Sequence, residues 1–109
     1  MAARLLDAVT ATGAGGSVRM NQKPHAHTIQ AMMGGTVVAT AVTIDVEGSL
    51  DDSTWFQLVQ HAFSAGEITA EGAMFHLADM PIKYIRSNLT TLTGGTAPTV
   101  TVLHVWSEV

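Results

Sequence analysis

In the stretch TVVATAVTIDVEGSLDDSTWFQL, residues 36–58, four large aliphatic side chains of the first half fall an even number of positions apart. Val38, Val42, Ile44 and Val46 fall on one face, and Ala39, Ala41, Thr43, Asp45 and Glu47 on the other. Successive side chains of an extended backbone point to opposite sides, so this period predicts a half-buried strand. Its Val, Ile and Thr content agrees, because β-branched side chains lose less rotamer freedom on a pleated surface than in a helix. Gly48, Ser49, Leu50, Asp51, Asp52 and Ser53 then supply small and acidic turn formers, and Trp55, Phe56 and Leu58 resume as a second strand. This hairpin is the feature around which the rest of the chain is read.

The flanking segments predict more short strands. Residues 1–16 read as an extended N-terminal arm with a glycine-rich hinge, TATGAGGS, which cannot hold a regular element without entropic loss. Short strands are expected at residues 17–22, ended by Pro24, and at 27–33, where Gly34-Gly35 turns into the central strand. A second two-stranded unit is expected around Ala65-Gly66, with Ile68, Met74, Phe75 and Leu77 as its apolar members. Residues 82–92, with Tyr84, Ile85, Leu89 and Leu92 inward, precede a Gly94-Gly95 turn. Pro98 opens the last strand, in which Val100, Val102, Leu103 and Val105 set apolar groups on both faces, as in a centrally placed strand. No segment shows a sustained helical stripe with caps. The expectation is an all-β protein with a single antiparallel β-sandwich or jelly-roll domain over residues 17–109, preceded by the arm.

Composition changes this picture in one respect. The 109 residues are 47% hydrophobic and 13% charged, where soluble domains have about 25% charged residues. A surface so poor in charge is a weak defence against association, so a homo-oligomer or a protein covered by partners is expected. The net charge of −4 and the lack of any Lys/Arg cluster argue against nucleic-acid binding. No apolar run reaches the roughly 20 residues of a membrane span, and residues 2–11 lack a signal-peptide core, so synthesis in a cytosol without visible export is expected. The absence of cysteine removes disulfides, thiolate zinc sites and cysteine nucleophiles.

Candidate chemistry is thin. His25 and His27 share a face of an extended stretch, but His61, His76 and His104 are distant in sequence, and all are read as surface or interface residues with no metal or cofactor. Asp51 and Asp52 are read as turn residues rather than calcium ligands. Asp45, Glu47, Glu67, Glu71 and Asp79 are scattered, with no pair singled out for acid–base work, and no nucleophile elbow occurs, so no catalytic residue is assigned and an enzyme is not expected. Trp55 is placed in the core in preference to a sugar-stacking platform. Arg86 is expected to pair with an acidic neighbour or to cap loop carbonyls.

The order VEGSLDDSTWFQL … PIKYIRSNLTTLTGGTAPTVTVL resembles small β-sandwich proteins of tailed-phage virions. The matching residues are Val46, Glu47, Gly48, Ser49, Asp51, Trp55, Tyr84, Ile85, Arg86, Gly94, Gly95, Pro98 and Val100, within residues 39–103. Where many relatives carry Asp-Gly in the turn, this chain has Asp51-Asp52. The resemblance implies a structural role in a virion, as a capsid decoration or cement protein bound to the major capsid protein or to other virion subunits at head, neck or tail. The arm residues Arg4, Leu5, Leu6 and Val9 are then expected to reach a neighbouring subunit. The S-x-D-x-x-x-W and Y-I-R features are also similar to discoidin-like jelly rolls, some of which bind carbohydrates. That alternative is a glycan-binding module rather than a structural subunit.

Overall fold

The computed structural model describes residues 2–20, 26–78 and 82–107. Its strands are β1 (Ala2–Val9), β2 (Gly13–Ala14), β3 (Val18–Arg19), β4 (Ala26–Gly34), β5 (Ala41–Ser49), β6 (Phe56–Ala62), β7 (Gly72–Ala78), β8 (Tyr84–Thr93) and β9 (Thr99–Ser107), with one short helix, α1 (Ala65–Ala70). They form two antiparallel sheets packed as a sandwich, one in the order β1-β9-β4-β7 and the other β2-β8-β5-β6, with β3 also on β8. The all-β expectation holds. The β5–β6 hairpin is the one sequential pair of these strands joined directly by hydrogen bonding, and the later connections carry the chain from one sheet to the other.

Alternation along each inner strand builds the core. Val42, Ile44 and Val46 of β5 and Ile85 and Leu89 of β8 line one sheet. Ile29, Ala31 and Met33 of β4 and Val100 and Val102 of β9 line the other. β9 is central in its sheet, as its apolar content on both faces suggested. Leu103 and Val105, however, face outwards, and Val105 remains 50% exposed.

Three expectations are corrected. Residues 2–9 are not an arm: they form β1, paired with β9 along the edge of the four-stranded sheet. Leu5 and Leu6 are 2% and 3% exposed, so both enter the core although they are neighbours in sequence. A regular strand cannot do this. The register passes from Arg4↔Leu103 directly to Leu6↔Val102, leaving Leu5 as the extra residue of a β-bulge that swings it inward. A second irregularity lies between Leu6 and Val9, where Ala8 has a positive φ of 49°. Val9 packs half-buried against the same core, and Arg4 stays exposed.

The glycine-rich segment is likewise a crossing rather than a hinge between two units. β2 pairs with β8 of the opposite sheet, and a Cβ on Gly15 would lie 2.1 Å from the Leu5 carbonyl oxygen, so only glycine lets the chain pass there. The boundary drawn at residue 16 therefore does not divide the fold. Gly34-Gly35 also leads across the sandwich and not into a hairpin, since β4 and β5 lie in different sheets.

The third correction is α1, where strands were expected. Ser64 accepts from the Glu67 N–H, and the Glu67 carboxylate accepts from the Ser64 N–H, a reciprocal capping box. Glu71 ends the helix in the left-handed region.

Because Leu5 and Leu6 are core residues, Leu5→Ala or Leu6→Ala is expected to lower unfolding stability by about 2–4 kcal/mol, read from urea denaturation. A free arm would leave the midpoint unchanged.

Candidate functional site

The residues singled out in the sequence gather at the two ends of β8. At its Tyr84 end sits the β5–β6 hairpin. The buried Ser49 hydroxyl accepts from the N–H groups of Asp51 and Asp52 and donates to the Asp51 carboxylate at 2.9 Å. That carboxylate also accepts from the N–H groups of Thr54 (2.8 Å) and Ser53 (2.9 Å). These bonds, first Thr54, then Ser53 and then Ser49, hold the Asp51 carboxyl down at about 2. Asp52 takes a left-handed φ of 60°. Apart from glycine, Asp is one of the few residues that visits this region readily.

Beside the turn, on the outward face of the five-stranded sheet, Glu47 of β5 stands opposite Arg86 of β8. The Arg86 Nε–H donates to Glu47 Oε1 at 2.7 Å, and the guanidinium lies 4.3 Å from the centre of the Trp55 ring. Arg86 thus has the acidic partner expected of it. Trp55 is corrected: it is half-buried and outside the core cluster, with the Arg86 guanidinium over its ring. Tyr84, half-buried, is two residues along the same face, opposite Ser49 on one side and Arg19 on the other.

At the far end of β8, Gly94 and Gly95 take φ values of 78° and 76°. A Cβ on Gly95 would lie 2.5 Å from the Val37 carbonyl oxygen, in the crossing closed by the Val37–Thr96 bridge. Pro98 is half-buried just before β9. The sequence motifs therefore mark two chain reversals that seat β8. They do not converge on one site.

The histidines are a different matter. His25 lies outside the described residues. His27 and His104 are not surface residues: they are 1% and 0% exposed, adjacent on β4 and β9, with His27 Nδ1 and His104 Nε2 2.9 Å apart. His104 also stacks on the buried Trp106, with centroids 4.9 Å apart. His104 Nδ1 is buried without a hydrogen-bond partner among the described residues. An orphaned N–H is rarer and costlier than an orphaned acceptor, so the proton of His104 is best placed on Nε2, donating to His27. His61 lies instead at the open seam, on Glu67 of α1 at 3.0 Å and stacked on Phe75 of the opposite sheet. His76 faces Thr28, with His76 Nδ1 and Thr28 Oγ1 3.0 Å apart. Among the described residues no three His, Asp or Glu side chains are grouped to hold a metal ion.

Burial, reinforced by His27, holds His104 down at about 3. The folded state therefore favours the neutral ring, whereas the unfolded chain protonates near 6.5. The associated stability is complete above that unfolded value and is lost as pH falls from it towards 3. Unfolding free energies from urea titrations between about pH 7 and pH 4 are expected to fall by up to about 1 kcal/mol per pH unit, and His104→Leu is expected to flatten that slope. Arg86→Ala, which strips Glu47 of its partner and Trp55 of its cover, is expected to cost about 1–2 kcal/mol. A double-mutant cycle with Glu47→Gln should recover part of that as coupling.

No protein-family model matches the chain, and neither does any curated protein sequence. Among solved structures, the fold is similar to the crystal structure of the SPBc2 prophage-derived protein YomS. The TM-score is 0.63 at 8% sequence identity, over 98% of this chain and 92% of that one. At that identity the likeness establishes a shared fold.

Proposed function

We propose that the protein is a phage-encoded structural subunit of a virion, acting as a decoration or cement protein that binds the major capsid lattice through protein–protein contacts. The observation that carries this reading is the likeness to a prophage-derived protein along nearly the whole of both chains. The virion-like motifs point the same way, and here they serve to seat strands rather than to assemble reactive groups.

The distribution of charge supports an adhesive role. β4, β7 and β9 contain no Asp, Glu, Lys or Arg. Their outward face presents Thr28, Gln30, Met74, Leu103 and Val105. At the hairpin end a second apolar surface is formed by Leu50 and Phe56, 72% and 68% exposed, with Leu58 and Ile82 beside them. Covering such surfaces yields about 25 cal/mol per Å² of apolar area before ordering costs, and repetition over a lattice adds avidity. The carbohydrate alternative finds less support, since Trp106 is buried and Trp55 gives a face to Arg86.

In density-banded particles of the phage that encodes it, quantitative mass spectrometry should find the chain in fixed ratio to the major capsid protein. Particles lacking it should release DNA at a lower temperature. Absence from purified particles would overturn the virion reading. A fixed ratio confined to isolated tails or necks would overturn the capsid assignment within it.

A further inference from the structure

An open sandwich leaves strand edges whose N–H and C=O groups can pair with another chain, and natural sheets blunt them. Here the edges differ. β1 carries two irregularities and the Arg4–Asp7 pair at 3.0 Å. β6 is bulged where Val46↔Val59 gives way to Glu47↔Gln57, with Leu58 as the extra residue. Beyond β8, among the described residues, stand only the two-residue strands β2 and β3. β7 has none of these devices. It pairs with β4 over seven residues without a register shift, and GAMFHLA contains no proline and no charged residue.

The free groups of β7 can be assigned. Met33 N–H donates to the Glu71 carbonyl at 2.9 Å, which makes residues 33 and 71 a hydrogen-bonded pair. By antiparallel alternation, Ala73, Phe75 and Leu77 then bond towards β4, while Gly72, Met74, His76 and Ala78 turn their N–H and C=O groups to the open edge. Among the described residues no strand takes them.

Core closure is also incomplete on this side. Ala73 and Phe75 of β7, and Val59 and His61 of β6, stay half-exposed, whereas Leu5 and Leu6 at the opposite edge are sealed.

We propose that β7 pairs antiparallel with β7 of a second copy about a twofold axis at Phe75, joining the two four-stranded sheets into one. That register sets Gly72 against the partner's Ala78 and Met74 against the partner's His76, so each outward-turned group meets an outward-turned group. The two Phe75 side chains become a non-hydrogen-bonded pair, the closer kind, and each covers the exposed part of the other. The absence of charge favours a second copy over a foreign strand. A twofold sets β7 against itself, so any net charge on the strand would be opposed by the same sign, and GAMFHLA carries none. The inference is independent of the virion reading, because it holds or fails with the purified chain in solution.

Sedimentation equilibrium of the native chain at high micromolar concentration is expected to give twice the chain mass. Because the protein has no cysteine, Phe75→Cys provides a direct probe. Its two Cα atoms would be about 4.5 Å apart across the axis, within disulfide range, so mild oxidation should yield a covalent dimer. Ala73→Cys, which faces the partner's Leu77, should not cross-link. Met74→Lys with His76→Lys sets lysine against lysine and is expected to give a monomer with an unchanged circular dichroism spectrum. Met74→Lys with His76→Glu sets lysine against glutamate and should restore the dimer. A monomeric native chain, or a dimer indifferent to the paired lysines, would overturn the proposal.

Discussion

The β5–β8 ladder is the pairing on which the other elements depend. β8 runs beside β5 from Tyr84↔Ser49 to Thr93↔Ala41, and its other edge receives both β2 and β3. Ser87, fully buried in this ladder, donates its hydroxyl to the Asp45 carbonyl at 3.2 Å, so the one buried polar side chain of β8 is satisfied. That matters because a buried hydroxyl without a partner costs more than its hydrogen bond contributes. With Ile85 and Leu89 at zero exposure on either side of it, the ladder fixes which face of the sheet is inside. A slip of one residue would turn every side chain of the slipped strand to the other face. The Glu47–Arg86 pair on the outer face works to the same end, since it forms only in the observed register. The hairpin turn and the Gly94-Gly95 crossing then hold the two ends of β8 in place.

Legibility followed the regularity of the backbone. β5 announced itself because Val42, Ile44 and Val46 alternate strictly, and all three are buried. β1 did not, because the adjacent Leu5 and Leu6 break the period of two, and only a bulge makes their joint burial possible. Local sequence carries no reliable mark of such a bulge. The helix was a different case: Ser64 followed by Glu67 is a readable capping box, obscured by Gly66 and by the short length of the segment. Trp55 illustrates a third kind of miss. Its position straight after the turn suggested the core, yet Arg86 of β8 offered its ring a partner on the outside. The two buried histidines were illegible for the opposite reason. Each is polar alone, and only the β4–β9 register, which sets them on neighbouring strands, gives either a partner in the core.

The polarity of the two sheets was present in the composition but could not be located from it. The low fraction of charged residues is not spread evenly. The five-stranded sheet carries Asp45, Glu47, Arg86 and Arg19 on its strands, and most of these have side-chain partners: Gln60 donates to Asp45, and Glu47 binds Arg86. The four-stranded sheet has Arg4 and Asp7 at one margin and no charge from there to its other margin. Only the strand order β1-β9-β4-β7 turns that list of uncharged strands into a continuous surface.

Such an arrangement has a physical logic. Charges at a strand edge guard against unwanted pairing, and here the Arg4–Asp7 pair stands beside the bulges of β1, while Glu47–Arg86 joins the inner strands β5 and β8. A strand edge with no bulge, proline or charge is hazardous for a protein meant to remain alone, because its backbone groups accept any extended segment that meets them. At β7 every device is missing at once, while the other edges each carry at least one. A general poverty of charge would have left β1 as bare as β7. The contrast between two edges of the same sheet is what the proposed pairing through β7 would account for: the guarded edge would face water and the bare one a second chain.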